Sequence, residues 1–230
     1  MIRAKTCFRW AALGYPYHGL TVCLASCPTH PTPLPVPLIA LENVRLIIDQ
    51  TVVFEALNAQ IQPGLIAVTG DERVGKTSLL MLLAGQHAPH AGSRIGSSAF
   101  FWPYATAESD KQTPIERWAQ AARVAPGWNQ SLCESLCSAL SMTEHQDKGL
   151  FMLSTGSRRK VDLIANLASG AQVICIDQPY VGLDAPSIGV LREFFEEASD
   201  AGKNSQRAWV VADYEADLYL TWDQTISLRR

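Results

Sequence analysis

Gly70-Asp71-Glu72-Arg73-Val74-Gly75-Lys76-Thr77-Ser78 fits the pattern G-x-x-x-x-G-K-[ST]. These residue types suit a polyphosphate. The backbone N–H groups of such a loop, with the N-terminus of the helix behind it, make an anion site. Lys76 is the residue that would reach the β- and γ-phosphates, and the Thr77 hydroxyl would hold Mg²⁺. Gly70, Arg73, Val74, Gly75 and Ser78 complete the candidate cradle. One feature runs against it. Asp71 and Glu72 set carboxylates beside the phosphates, which is unfavourable unless they point away or Arg73 offsets them.

Three further groups could take part. Leu153-Ser154-Thr155-Gly156-Ser157 precedes a helix expected from about Arg158 to Ala168, so Ser154 and Gly156 offer a hydroxyl and bare N–H groups to an anion. The bland alternative is an ordinary helix cap. Val173-Ile174-Cys175-Ile176-Asp177 is an apolar strand ending in an acid, the form in which an Asp ligates Mg²⁺ through water. Gly182-Leu183-Asp184 follows it, and Ala208 to Ala212 is another apolar strand, followed at once by Asp213.

The elements that must position these groups are readable from the pattern. Leu65 to Thr69 has the length and apolarity of a buried strand, and Ser78 to Ala84 is rich in helix formers and closed by Gly85. Strand, loop and helix is the context the phosphate loop requires. Leu41 to Ile48 and Val52 to Ile61 read as strands about a turn at Asp49-Gln50. Ser98 to Trp102 reads as a strand stopped by Pro103. Thr113, Pro114 and Glu116 open a helix with a capping box, and residues 130–152 read as mostly helical with Leu132, Leu136 and Leu140 on one stripe.

Composition narrows the classes. A chain of 230 residues, 47% apolar and 18% charged, has room for one α/β domain with a sizeable core. A net charge of −3 gives no electrostatic case for nucleic acid, so none is expected as a partner. The six cysteines form no C-x-x-C pair, and Cys133 with Cys137 lacks a nearby histidine to complete a metal set. No apolar run is long enough to span a membrane. Residues 1–37 differ from the rest: a Pro-rich stretch ends them, and they are expected to form a poorly ordered extension. Leu24-Ala25-Ser26-Cys27 looks like a lipoprotein cleavage box, but Arg9, Pro16 and His18 interrupt the apolar region such a signal needs.

In their order along the chain, the phosphate loop, LSTGS at 153–157, CIDQP at 175–179 and GLD at 182–184 resemble the nucleotide-binding subunits of ABC transporters, over roughly Leu38 to Leu228. The short stretch between Tyr104 and Leu153 is similar to the smallest bacterial members, such as the haem-exporter ATPases. The resemblance implies an α/β phosphate-loop NTPase fold of ABC type at 38–230, with a mixed central sheet flanked by helices and a small helical subdomain at about 105–165. It implies ATP and Mg²⁺ as ligands, with Thr77 and Asp177 on the metal. It also implies two subunits stacked head to tail, so that Ser154 and Gly156 of one complete the ATP site of the other. An integral membrane permease is then the partner, the stack is a homodimer or a heterodimer, and the location is the cytoplasmic face of the cell membrane.

The chain also departs from that family. Gln178 stands where the family has the glutamate that acts as general base, and a neutral amide cannot accept a proton. Asp213 stands where a histidine faces the γ-phosphate, and Tyr104 stands where a glutamine is expected. Ile48 falls near the place of an aromatic that stacks on adenine. Arg73 replaces the central glycine of the loop and resists a positive φ. Binding groups are kept and hydrolytic groups, Gln178 and Asp213, are altered. Two functions follow as expectations: a transporter ATPase subunit with slow hydrolysis, or a non-hydrolysing nucleotide-binding partner of a competent one.

Overall fold

The computed structural model describes residues 36–229, so the expected extension at 1–37 lies outside the described residues apart from Val36 and Pro37. Two sheets form the frame. β1 (Ile39–Ile48) pairs antiparallel with β2 (Thr51–Ile61) and with β4 (Ala91–Gly96). The β1–β2 turn is the expected one. Asp49 and Gln50 both take positive φ, 47° and 64°, which matches the right-handed twist of a hairpin. β3 (Gly64–Thr69), β5 (Ala99–Phe100), β6 (Val173–Asp177), β7 (Ala208–Asp213) and β8 (Gln224–Ser227) form the second sheet, in the order β5-β6-β7-β3-β8. Every pairing in it is parallel. Parallel and antiparallel pairings are thus both present, divided between the two sheets.

Side chains alternate across the parallel sheet. Leu65, Ile174, Ile176, Trp209 and Val211 join one buried cluster, together with the inner faces of α2 (Pro114–Val124), α3 (Gln130–Ala139), α4 (Thr155–Leu167) and α5 (Ala185–Ser205). Ile66, Val68, Cys175, Val210 and Ala212 join the other, under α1 (Lys76–Leu83) and the antiparallel sheet. A strand buried on both faces reads as a continuous apolar run, which is why β3, β6 and β7 are legible without periodicity.

Two elements are shorter than the sequence suggests. Of Ser98 to Trp102 only Ala99–Phe100 pairs with β6. Beyond it the Trp102 N–H donates to the Asn166 side chain at 2.7 Å, so a side chain on α4 takes the backbone donor a ladder would have used. Over 130–152 the α-helix stops at Ala139, Ser141 turns left-handed at φ 57°, and two single 3₁₀ turns follow, at Thr143–His145 and Leu150–Met152. Leu132, Leu136 and Leu140 are buried as a stripe should be. The capping box of α2 is complete: the Thr113 hydroxyl accepts from Glu116 N–H, and the Glu116 carboxylate accepts from Thr113 N–H. α4 starts at Thr155 instead of Arg158, because Ser154 accepts from Ser157 N–H at 3.1 Å and caps the helix there.

One buried ion pair ties α2 to α4. Arg117 Nε meets Asp162 Oδ1 at 2.7 Å, with side chains 8% and 1% exposed. Arg117 also donates to Pro103 O, and Asp162 accepts from Ala105 N–H, so the pair fixes the segment leaving β5. Burial pushes the Asp162 carboxyl up, while Arg117 and the Ala105 N–H pull it back.

Candidate nucleotide site

The site lies at the carboxyl ends of β6, β7 and β3, which are neighbours in the sheet. Open parallel sheets bind ligands there because their loops and helix N-termini converge on that edge. Thr69 is level with Asp213, and Asp177 with Ala212. The turn from β3 into α1 is tight: Gly70, Arg73 and Gly75 have φ of 151°, 61° and 101°. Arg73 therefore adopts the left-handed conformation it was expected to resist, at a cost of order 1–3 kcal/mol that its surroundings must offset.

Within this turn Lys76 is 7% exposed, and its Nζ donates to Gly70 O at 2.5 Å and Asp71 O at 2.7 Å. Thr77 Oγ1 donates to Asp177 Oδ2 at 2.6 Å. The helix start and the strand-end acid named from sequence therefore touch, although a hundred residues separate them. Burial pushes the Asp177 carboxyl up, Thr77, Arg159 and Lys76 oppose it, and Asp213 adds to it. Oxygen donors only are offered by this pair, a set that suits Mg²⁺.

An open hollow of about 370 Å³ lies over these groups, lined among others by Arg73, Gly75, Lys76, Thr77, Ser78, Asp177, Gln178 and Tyr214. Val74 is not part of the lining: it is 8% exposed and belongs to the buried cluster under α1. From the antiparallel sheet Val53 reaches the hollow, while Ile48 is not among its lining residues. Gln178 is held twice by its backbone. Its N–H donates to Ala212 O at 2.7 Å, its carbonyl accepts from Arg159 Nη2 at 3.0 Å, and its φ is 44°. Asp213 sits at the end of β7 and accepts from Tyr214 N–H at 2.8 Å. It lines a separate small cavity with Thr69, Tyr180 and Asp217. Its carboxyl is pushed up by burial and pulled down by the Tyr214 N–H, Lys76 and Arg159.

Ser154 and Gly156 line none of this hollow. Ser154 serves as the α4 cap, and Gly156 lies against the loop after β6. A Cβ at Gly156 would stand 2.4 Å from Gly182 O, backbone that cannot swing aside. Gly156→Ala is therefore expected to lower stability by about 1–3 kcal/mol through overpacking. A melting temperature equal to wild type would contradict that.

Three side chains not named as binding groups from sequence organise the site. Tyr104 donates its hydroxyl to Asp177 O, and its ring lies 3.9 Å from the Arg159 guanidinium. Tyr104 and Arg159 thus hold the carbonyls of two consecutive residues, Asp177 and Gln178. Burial pushes the Tyr104 phenol up, so it remains a donor. Tyr214 is the third. Its ring centroid is 4.6 Å from Lys76 Nζ, its hydroxyl meets Glu72 Oε1 at 3.2 Å, and its carbonyl accepts from Gly70 N–H at 3.3 Å. The only signal for Tyr214 was its position just after a strand end.

The family profile described as ABC transporter matches residues 54–181, more than half the chain. The chain belongs to the ABC transporter family. It is an ATP-binding subunit of that family, and the nucleotide-binding fold is shared with solved members. Among curated relatives, the cytochrome c biogenesis ATP-binding export protein CcmA of Sphingopyxis alaskensis is 30% identical over 152 residues, covering 64% of this chain and 76% of that one. The protein of the same name from Zymomonas mobilis is 29% identical over 171 residues, covering 71% and 74%. The fold matches an ATP-binding subunit of an ABC transporter at TM-score 0.64 and 18% identity, covering 76% of this chain and 79% of that one. It also matches a nucleotide-free ATP-binding cassette at TM-score 0.59 and 14% identity, covering 77% and 81%. Among the described residues no helix is long and apolar enough to cross a membrane.

Proposed function

We propose that this ABC subunit binds ATP with Mg²⁺ in the hollow over Lys76, hydrolyses it slowly, and works beside an integral membrane permease that carries out export. The observation that supports binding is the meeting of Thr77, next to the buried Lys76, with Asp177 at the carboxyl ends of β3 and β6, the two strands that flank β7. In this reading the loop N–H groups from Asp71 to Ser78 hold the phosphates, the Gly70 N–H being taken by Tyr214 O, and Lys76 Nζ turns from Gly70 O and Asp71 O toward them. Thr77 and Asp177 would hold Mg²⁺, which would neutralise phosphate charge. Export is taken from the names of the CcmA relatives.

Ser154 and Gly156 point to the second subunit. They lie apart from their own phosphate loop, as residues that complete a partner's site must. The assembly proposed is a head-to-tail pair, a homodimer or a heterodimer, resting on the permease at the cytoplasmic face of the membrane. Differential affinity of ATP for the closed pair then drives the permease between conformations.

Slow turnover rests on Gln178. The water that attacks the γ-phosphate must lose a proton, and an amide can orient that water but cannot take the proton.

Titration calorimetry with Mg²⁺ and ATP tests the reading. Lys76→Ala should weaken binding by about 1.5–3 kcal/mol, roughly 10- to 150-fold, the worth of charge-assisted hydrogen bonds. Equal affinity in the two proteins would remove the site from the hollow. Wild type that binds ATP and releases no phosphate, alone or with its permease, would make the chain a non-hydrolysing partner.

A further inference from the structure

Glu72 and Tyr214 meet above the phosphate loop, one from the loop itself and one from the residue after β7. Their hydrogen bond closes a bridge across the side of the loop that carries Lys76. Under the bridge the Lys76 ammonium faces the Tyr214 ring at 4.6 Å and spends two of its three donors on Gly70 O and Asp71 O. Glu72, Lys76, Asp177, Gln178 and Tyr214 all line one hollow, so the bridge is part of the wall that the loop and the strand-end groups share.

This geometry treats two nucleotides differently. A β-phosphate is held by loop N–H groups, and the Glu72–Tyr214 bond is made between side chains and uses none of them. A γ-phosphate must come past Lys76 toward Asp177 and Gln178, where it meets the Tyr214 ring and the Glu72 carboxylate. That carboxylate repels it at close range.

We propose that the Glu72–Tyr214 bridge sets nucleotide specificity, favouring a diphosphate in the closed form and requiring the γ-phosphate of a triphosphate to break it. This rests on the hollow being the nucleotide site. It assigns a role to the carboxylate that is out of place in a phosphate loop: Glu72 does not point away but is engaged by Tyr214. When the bridge opens, Lys76 loses its aromatic neighbour and is released toward the phosphates. Affinity for the triphosphate is lowered by whatever the bridge contributes.

The test is titration of the full chain with ADP and with a non-hydrolysable ATP analogue, both with Mg²⁺. Tyr214→Phe removes the hydrogen bond and keeps the ring, and Glu72→Met removes the acceptor with its charge and keeps about the same length of side chain. Each should tighten the triphosphate analogue about fivefold, as expected for one hydrogen bond of ordinary net strength, and leave ADP within twofold. The double variant should gain less than the product of the two single effects, because both break one bridge. Weaker binding of the analogue by Tyr214→Phe would make the hydroxyl a phosphate ligand and overturn the proposal. Equal shifts for the two nucleotides, no shift, or fully multiplicative effects would overturn it as well. A failure of the site itself is distinguishable, since Lys76→Ala would then leave both nucleotides unaffected.

Discussion

Gln178→Glu is expected to raise ATP turnover by roughly 10²-fold, the lower end of what a positioned general base contributes. The backbone at 178 is already fixed for the purpose. Ala212 O takes its N–H, Arg159 holds its carbonyl, and the residue lines the hollow beside Asp177. A glutamate enters with the same φ of 44° and nearly the same volume, so the change is one of proton affinity. Asp213→His, added to it, should contribute less. The Asp213 carboxylate is engaged by Tyr214 N–H and lines another cavity, so it is poorly placed to take a proton from the attacking water. Steady-state phosphate release at saturating ATP checks both. Wild type already turning over as fast as Gln178→Glu, with activity lost in Asp213→Ala, would make Asp213 the base.

The second large effect is on stability. Arg117→Ala should cost about 3–5 kcal/mol, because it strands the Asp162 carboxylate at 1% exposure. The loss would also free Pro103 O and loosen the segment that carries Tyr104 to Asp177 O. Urea unfolding measures it. Replacing both partners by apolar residues, Arg117→Met with Asp162→Leu, should recover much of the loss, since no charge is then left buried. A double variant as unstable as Arg117→Ala would show that the hydrogen bonds to Pro103 and Ala105, rather than the stranded charge, carry the stability.

What the sequence revealed and what it hid have separate physical causes. β3, β6 and β7 are buried on both faces, so their composition alone announces them, and each ends in a residue of the site or its rim. Motif order alone pairs Thr77 with Asp177, and they touch. The sequence pattern places the start of α4 at about Arg158, three residues late, because Ser154 suits an anion site and a helix cap equally well. The strand at 98–102 was overdrawn because Asn166, far along the chain, captures the Trp102 N–H. Tyr214 and Arg159 are not legible from the sequence for the same reason. Their roles come from Lys76, Glu72, Tyr104 and Gln178, none of which is adjacent in sequence. Long-range side-chain contacts leave no local pattern.

Tyr104 and Arg159 grip two successive carbonyls, and Arg159 belongs to α4. The helix begins at the Ser154 cap, about 7.5 Å along its axis from Arg159. A rigid rod of that length neither stretches nor bends under ordinary forces. Ser154, Arg159 and the Gln178 carbonyl are thus joined by one stretch of helix and one hydrogen bond, and Tyr104 joins Arg159 to the Asp177 carbonyl. Within one subunit, the surface that would greet a neighbour and the pair that would face the attacking water behave as the two ends of a single lever.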